Sequence, residues 1–508
     1  SWVLGLAFYL INMWWMEAPT GMGYVVLSAC LACYFPLAAC PIRHAVRRRI
    51  PLAVAAPFVW VAAEYLRAHM LSGFPWFFLG HSQYKILSMI QISDLVGAYG
   101  VTFVLAAVNG AIADVILTRF FVRREGADDR RHTGVAIGFA GVLVAATLVY
   151  GWYQLSRDTI SPGPRIAVMQ QDNANFTDPE QARAQPGPRE KAMAYFAMMA
   201  EARPLEPDIY LFPETAWGLM YLNKEFRDFP AEMLTNDWLR YAHLRSEAYY
   251  AALRAWSIET GASIVIGSAS VTPTPLSLRA SETRHNSAFH FSADGAEPER
   301  HDKIHPVVLG ETVPFRYGRL RILYLWLNSL SPFGEDGYDY SLTAGDDVRV
   351  FTMTTREPES ATYRFGAPIC YEDVMPYVCR RFVWDEQEKR KRVDFLLNIS
   401  NDGWFLDRNE QQQHFAICTF RAVENRVGIA RTVNTGISGF IDPDGRAHDT
   451  IGVGQTAYKV ARVATDSRVS LYSRIGDIFA GVCALVSMAL YGDYIVARMR
   501  SNGKVLSA

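Results

Sequence analysis

The sequence predicts a polytopic α-helical membrane domain carrying one large α/β domain. Three observations predict it. Half of the 508 residues are hydrophobic, yet they are unevenly spread. Apolar runs of span length crowd residues 1–155 and return at 474–508, while 156–473 reads as ordinary charged sequence. Within 156–473, strand-like and helix-like segments alternate, which is the pattern of α/β layers. Finally, an apolar strand-like run at 363–369 ends on a cysteine, Cys370, where a sheet would present a nucleophile. The formal net charge of −1 supplies no global field for nucleic acid.

Spans need about 20 mostly apolar residues. They read at 2–15, 21–40, 52–71, 92–117, 134–153 and 478–496. Basic residues in short loops set the orientation. One loop holds Arg43, Arg47, Arg48 and Arg49; another holds Arg119, Arg123, Arg124, Arg130 and Arg131; the tail holds Arg498, Arg500 and Lys504. With six spans all three fall on one side, the cytoplasmic one, and the α/β domain falls on the other. The sequence opens inside an apolar run without a basic n-region or cleavage site, so the first span reads as short or upstream sequence as missing.

Charges near spans are costly and often functional. Asp114 reads as a helix-end residue. Glu64 and Arg67 read equally as an i,i+3 ion pair and as a functional pair. They stand just before Gly73-Phe74-Pro75-Trp76, an aromatic, proline-broken re-entry at the membrane interface. Seven cysteines form no even framework, so no structural disulfide is expected. Cys30-x-x-Cys33 has no second pair, so it reads as packing sequence and not as a metal or redox site.

In the α/β domain, Ser161-Pro-Gly-Pro164 reads as a linker. Strands are expected at 165–170, 208–212, 263–267, 363–369, 394–399, 428–434 and 439–442, and helices at 189–202, 245–260 and 412–425. Loops after these strands carry Glu214, Cys370 and residues 398–404, where a site would assemble. Lys303, in His-Asp-Lys-Ile-His-Pro, is a third candidate. The stretch 315–332, with Leu320, Ile322, Leu323, Leu325, Trp326, Leu327 and Leu330, reads as a mobile arm that dips into lipid, in preference to a buried core helix.

Glu214, Lys303 and Cys370, in that order and in these contexts, resemble the Glu-Lys-Cys triad of the nitrilase, or carbon-nitrogen hydrolase, superfamily. Flanking spans narrow the resemblance to the bacterial apolipoprotein N-acyltransferase family. Its membrane signature is matched by Trp60-x-x-x-Glu64-x-x-Arg67, Gly73-Phe74-Pro75-Trp76, Gly80, Gln83, Gln91 and Gly97-x-x-Gly100. The α/β domain is matched by Gly310-Glu-Thr-Val-Pro-Phe315, Asn398-Ile-Ser-Asn-Asp-Gly-Trp-Phe405, Gln413-His414, Arg421-Ala-x-Glu424 and Asn434-Thr-Gly-Ile-Ser438. The family usually has eight spans, and the first matched segment resembles its third, so two N-terminal spans are expected to be absent here.

The resemblance implies an extracytoplasmic α-β-β-α nitrilase-like sandwich over 156–473, held between membrane segments 1–155 and 474–508 in a bacterial inner membrane. It implies Cys370 as nucleophile, Glu214 as general base and Lys303 as charge partner and oxyanion donor. The Tyr371 N–H is the expected second oxyanion donor. Glu311 is expected to orient Lys303, Glu372 to support the site, and Asn286 to line the pocket. Gly73, Phe74, Pro75, Trp76, Leu325, Trp326 and Trp404 are the expected lipid or substrate-access residues. The implied reaction is ping-pong transfer of a phospholipid acyl chain, sn-1 of phosphatidylethanolamine, to the α-amine of a diacylated apolipoprotein, with no metal or organic cofactor. The alternative is a membrane-tethered amidase with water as second nucleophile.

Overall fold

A computed structural model describes residues 1–508 except 122–126, 174–184, 219, 235–236, 273–282, 317, 330–338, 357–359, 407–408 and 507–508. Arg123 and Arg124 of the second basic loop, and Leu330 at the end of the arm, lie outside the described residues.

The chain begins with eight helices: α1 (Trp2–Asn12), α2 (Gly21–Ala32), α3 (Tyr34–Arg47), α4 (Leu52–His69), the short α5 (Leu87–Ile90) and α6 (Ser93–Val96), α7 (Ala98–Ile116) and α8 (Ala127–Leu155). Among the described residues four helices are long and apolar enough to cross a membrane: Gly21–Arg47, Ala98–Phe120, His132–Leu155 and Ile478–Arg500. Six were expected. The first expected span fails on length: α1 has 11 residues, about 16 Å at 1.5 Å per residue, and gives way to a 3₁₀ turn at Trp14–Glu17. The third, α4, carries buried Glu64 and Arg67 and packs inside the bundle against α7. The fourth starts late, because Gly97 at φ +69° separates α6 from α7.

Glu64 and Arg67 do not hydrogen-bond each other among the described residues. Glu64 accepts from Trp60 Nε1 (3.2 Å), the Leu79 N–H (2.8 Å) and Thr102 Oγ1 (2.8 Å). Arg67 donates to Tyr9 Oη and to the Phe77 carbonyl. Both charges therefore grip the loop that follows α4, where hydrogen bonds to Glu64 and to the two terminal nitrogens of Arg67 offset part of their desolvation.

The α/β domain contains, among the described residues, two six-stranded sheets. The first runs β14-β1-β2-β3-β4-β5, with β1 Ile160–Gln170, β2 Ile209–Leu211, β3 Ser263–Thr272, β4 Thr283–Phe291, β5 Glu299–Asp302 and β14 Ala457–Asp466. The second runs β13-β12-β11-β10-β7-β6, with β6 Val350–Thr354, β7 Thr362–Gly366, β10 Phe395–Asn401, β11 Gly428–Asn434, β12 Ser438–Ile441 and β13 Ala447–Ile451. A small hairpin pairs β8 (Trp384–Asp385) with β9 (Arg390–Lys391).

Strand alternation builds the layers. Ile209, Leu211 and Val265 face Phe365, Phe395, Leu397 and Ile399 between the sheets. Their neighbours Tyr210, Phe212, Ile264 and Ile266 face the other way, onto helices Pro188–Ala202 and Asp237–Thr260 through Tyr195, Met199 and Leu253. On the second sheet, Leu396, Ile429 and Ile441 turn outward onto helices Pro376–Val383 and Glu410–Asn425. The result is the α-β-β-α sandwich. Each such side chain buried contributes about 1.5–3 kcal/mol of transfer free energy.

The expected linker at 161–164 is a correction. It lies inside β1, paired with β14, with a register shift between Pro162 and Arg165. β2 pairs with β1 only from Ile166 on, so the prolines lie where their missing N–H groups break no ladder on that side.

A polar seam joins this sandwich to the membrane helices. Arg426, fully buried, donates to Asp94 (2.6 Å), Gln91 (2.7 Å) and Asp444 (2.9 Å). Glu424 accepts the first N–H of α7, from Ala98, at 2.8 Å. Beside it, Tyr9, Met13, Trp15, Leu31 and Trp76 pack against Val374 and Ile417. The site that follows is therefore held against the membrane helices.

Candidate active site

Each functional side chain stands just beyond a strand. β7 ends at Gly366, where the sequence reading carried it to Ile369; Pro368 cannot donate to a ladder, and Ile369 makes only a single bridge to Ile399. Cys370 then takes a left-handed conformation, φ +49°, at the start of a 3₁₀ turn through Glu372. Such a backbone is strained for a non-glycine residue, by about 1–3 kcal/mol, and must be held by its surroundings.

Glu214 follows β2 on the facing sheet. Its backbone passes so close to β3 that a Cβ at Gly267 would stand 2.6 Å from the Glu214 Cα, so glycine is required there. Lys303 follows β5, and its N–H donates to the Asn286 carbonyl at 2.8 Å. Three strand ends, of β2, β5 and β7, and Asn286 within β4 thus converge from two sheets.

The side chains form one cluster, in which Glu214, Lys303 and Asn286 are buried and Glu311 and Cys370 partly so. Lys303 Nζ lies 3.5 Å from Glu214 and 2.8 Å from Glu311. Asn286 Nδ2 donates to both Glu214 and Glu311. The Cys370 thiol and the Glu214 carboxyl group stand close enough to act on each other electrostatically. Burial pushes the thiol up to about 12, with Glu214 adding to the rise and Lys303 opposing it. Burial likewise raises Glu214, and Lys303 lowers it only in part because Glu311 pushes back. Lys303 is desolvated too, but Glu311, Glu214 and Cys370 outweigh that and hold it firmly charged. The resting site is therefore a neutral thiol and a fixed cation, with the Glu214 carboxyl group placed to take the thiol's proton.

A carboxylate, a lysine and a cysteine so arranged on this sandwich decide the family. The chain belongs to the carbon-nitrogen hydrolase family. That family's model, "Carbon-nitrogen hydrolase", matches residues 165–468, and the model "Apolipoprotein N-acyltransferase N-terminal domain" matches residues 1–111. Among curated relatives, the apolipoprotein N-acyltransferase of Geobacter metallireducens is 29% identical over 95% of this chain and 84% of its own length. That of Chlorobaculum tepidum is 25% identical over 95% and 85%, and that of Caulobacter vibrioides 26% over 100% and 87%.

In this carbon-nitrogen hydrolase two carboxylates, Glu311 and Glu372, contact the neighbourhood of Lys303 and Cys370. Glu311 holds Lys303 and is itself fixed by the Val307 N–H at 2.7 Å. Glu372 is fully buried. It accepts from the Ile369 N–H (2.8 Å), the Ile304 N–H (2.7 Å) and His301 Nε2 (3.2 Å). Burial disfavours its charge, but His301 and these donors outweigh that and hold its carboxyl below the usual range.

The aromatic loop reaches the site. Tyr371 Oη donates to the Gly73 carbonyl at 3.1 Å, and Trp76 Nε1 to Gln413 at 2.8 Å. Phe74 stacks on Trp76, with ring centroids 6.2 Å apart, and Pro75 lies between them. Trp404 is half-buried in the turn Gly403–Phe405, whose Phe405 packs on Trp15. Leu325 and Trp326 lie apart from this cluster, on the helix Arg321–Ser329. Both are more than half exposed, while Tyr324 and Asn328 are buried on the opposite face. The arm's apolar face is thus open and is not core.

The sequence reading missed the ring behind the nucleophile. His414 Nε2 donates to Asp373 (2.7 Å) and Nδ1 to Asp402 (3.0 Å), and Arg431 donates to the other oxygens of both (2.9 and 3.1 Å). Gln413-His414 was visible as a motif, but only the fold brings it to Asp373. Asp402, Glu410 and His414 place ligand-type atoms within 4.8 Å of one another. They do not suit a metal: both nitrogens of His414 are spent on carboxylates, and Arg431 already neutralises Asp402.

Proposed function

We propose that this protein moves an acyl chain from a membrane phospholipid, through a Cys370 thioester, to the N-terminal α-amine of a diacylated apolipoprotein. The observation that carries the reading is the Tyr371–Gly73 contact: the residue beside the nucleophile touches the loop between N-terminal helices, so the triad lies against the membrane domain. The relatives named above, and the exposed apolar face around Leu325 and Trp326, support the same reading. The basic loops support a catalytic domain on the extracytoplasmic side of a bacterial inner membrane.

In the first half, Sγ of Cys370 attacks the ester carbonyl of the donor, sn-1 of phosphatidylethanolamine, as its proton passes to Glu214. Lys303 Nζ and the Tyr371 N–H bind the oxyanion. The ester C–O bond breaks, the leaving alkoxide takes the proton from Glu214, and lysophospholipid departs. In the second half the acceptor amine attacks the thioester, Glu214 takes a proton from nitrogen, and Sγ recovers it as the C–S bond breaks. An amide forms and the thiol is restored. Partly buried Glu311 and buried Asn286 keep Lys303 and Glu214 aligned through both halves.

Intact-protein mass spectrometry tests this. Mixed with phosphatidylethanolamine vesicles and no acceptor, the protein should gain one acyl chain, labile to neutral hydroxylamine and absent from Cys370→Ala. A diacylglyceryl peptide should discharge it as a triacylated product. Release of free fatty acid instead would make the protein a membrane-tethered hydrolase.

A further inference from the structure

We propose that His414 is a positioning residue for Cys370: it clamps the nucleophile's turn through Asp373 and stands behind it as a fixed cation. The kinetic part of this proposal rests on the acyl-transfer reading; the chemical part does not.

The clamp is geometric. The Asp373 N–H donates to the Cys370 carbonyl at 3.0 Å, closing the turn that carries the strained cysteine. The Asp373 carboxylate is then fixed from two other elements, by His414 on the helix Glu410–Asn425 and by Arg431 on β11. Arg431 also donates to Asn398, whose Nδ2 donates to the Pro368 carbonyl at 3.2 Å, two residues before Cys370. Both sides of the nucleophile are thus tied to one ring of buried charges. Trp76 packs on His414, ring centroids 5.5 Å apart, and both side chains are buried.

The charge follows from the same contacts. An imidazole that donates from both nitrogens is an imidazolium. The groups facing it are Asp373, Asp402 and Glu410 as acids and Arg431 as a second base, with the Cys418 thiol one turn on and the triad of Cys370, Glu214 and Lys303 beyond Asp373. Glu410 is pushed up to about 8 by burial and by Asp402, so at neutral pH it adds no net charge. The ring then holds two cations and two anions. Removing His414 alone leaves two carboxylates against one arginine, directly behind a sulfur that must become negative. Among the charges acting on Cys370, His414 stands with Lys303 in favouring thiolate.

The test reads the thiol directly. Iodoacetamide is added to the full-length protein in detergent across a range of pH, and modification of Cys370 is followed by peptide mass spectrometry. His414→Gln should slow that alkylation about tenfold near pH 8 and move its rise to higher pH. With phosphatidylethanolamine vesicles, kcat for acylation should fall about 100-fold while KM stays within about twofold. A folded His414→Gln with wild-type alkylation and kcat overturns the proposal, as does one in which only the melting temperature moves. Should His414→Gln not fold, His414→Asn, the smaller neutral amide, removes the same cation and is read in the same way. If wild type never acylates, the acyl-transfer reading fails, and alkylation alone still decides the role of His414.

Discussion

The Glu372 carboxylate accepts the Ile304 backbone N–H at 2.7 Å. Its other oxygen takes the Ile369 N–H, so one buried side chain ties the residue after Lys303 to the residue before Cys370. The two catalytic groups come from different sheets, and this carboxylate fixes their separation. Glu372→Ala leaves both N–H groups buried without an acceptor, at about 1–3 kcal/mol each. We expect the rate of acyl-enzyme formation to fall at least about 100-fold, since about 2.7 kcal/mol of lost transition-state stabilisation is that factor. Glu372→Gln, which keeps one carbonyl oxygen, should lie between. Single-turnover mass spectrometry measures both.

Gly73 meets the site from the membrane side. Its φ is +79°, and a Cβ there would stand 2.2 Å from the Ala68 carbonyl and 2.7 Å from the Met375 methyl. Gly73→Ala must therefore displace the loop that Tyr371 and Trp76 hold. The expected outcome is loss of about tenfold or more in acylation, with the α/β domain intact, because the strain is local. Limited proteolysis should open the 70–80 segment and leave the sandwich protected. Unchanged activity would mean that the loop only lies near the site.

Much of this was legible in the sequence, because buried parallel strands write themselves as short apolar runs. β10 and β11, buried along their whole length, were found, β11 to the residue and β10 within two residues at its end. Strands such as β13, β6 and β14 alternate or carry charge and gave no such signal. Glu214, Lys303 and Cys370 were legible as motifs, and the fold assembles them from more than 150 residues of chain, as their numbers show. The ring of Asp373, Asp402, His414 and Arg431 was not. Its members are polar residues that local sequence assigns to surfaces, and only tertiary packing makes them interior. Two of the expected spans have no counterpart among the helices long and apolar enough to cross: α1 has only 11 residues, and α4 runs unbroken over 18 but carries Glu64 and Arg67.

The helix Arg321–Ser329 turns Leu325 and Trp326 outward, at 55% and 57% exposure, beside Ile322 at 83%. An exposed apolar stripe of that kind gains free energy only where lipid or a partner meets it. Leu325→Ser with Trp326→Ser should leave the melting temperature within about 2 °C, since little packing is lost. Acylation from vesicles should fall about tenfold or more, while a short-chain donor dissolved as monomer should be used nearly as well as by wild type. Equal losses on both donors would make the helix part of the active-site wall and not a lipid contact.

Glu214 sets the acid limit. As general base it works only as carboxylate, and burial, aided by Glu311 and opposed by Lys303, raises its pKa above the ordinary carboxylate range. Activity is thus present above that raised value and is lost as pH falls through it. The acid limb of acyl-enzyme formation should have its midpoint above about 4.5, the position of an unperturbed glutamate. Glu311→Gln removes the neighbour that pushes Glu214 up, so the limb should move to lower pH, with a reduced plateau because Lys303 loses its clamp. Glu214→Gln should abolish the limb together with the activity. The acylation rate measured from about pH 4 to 9 in the three proteins separates these outcomes. A limb that stays put in Glu311→Gln would place the titrating group elsewhere.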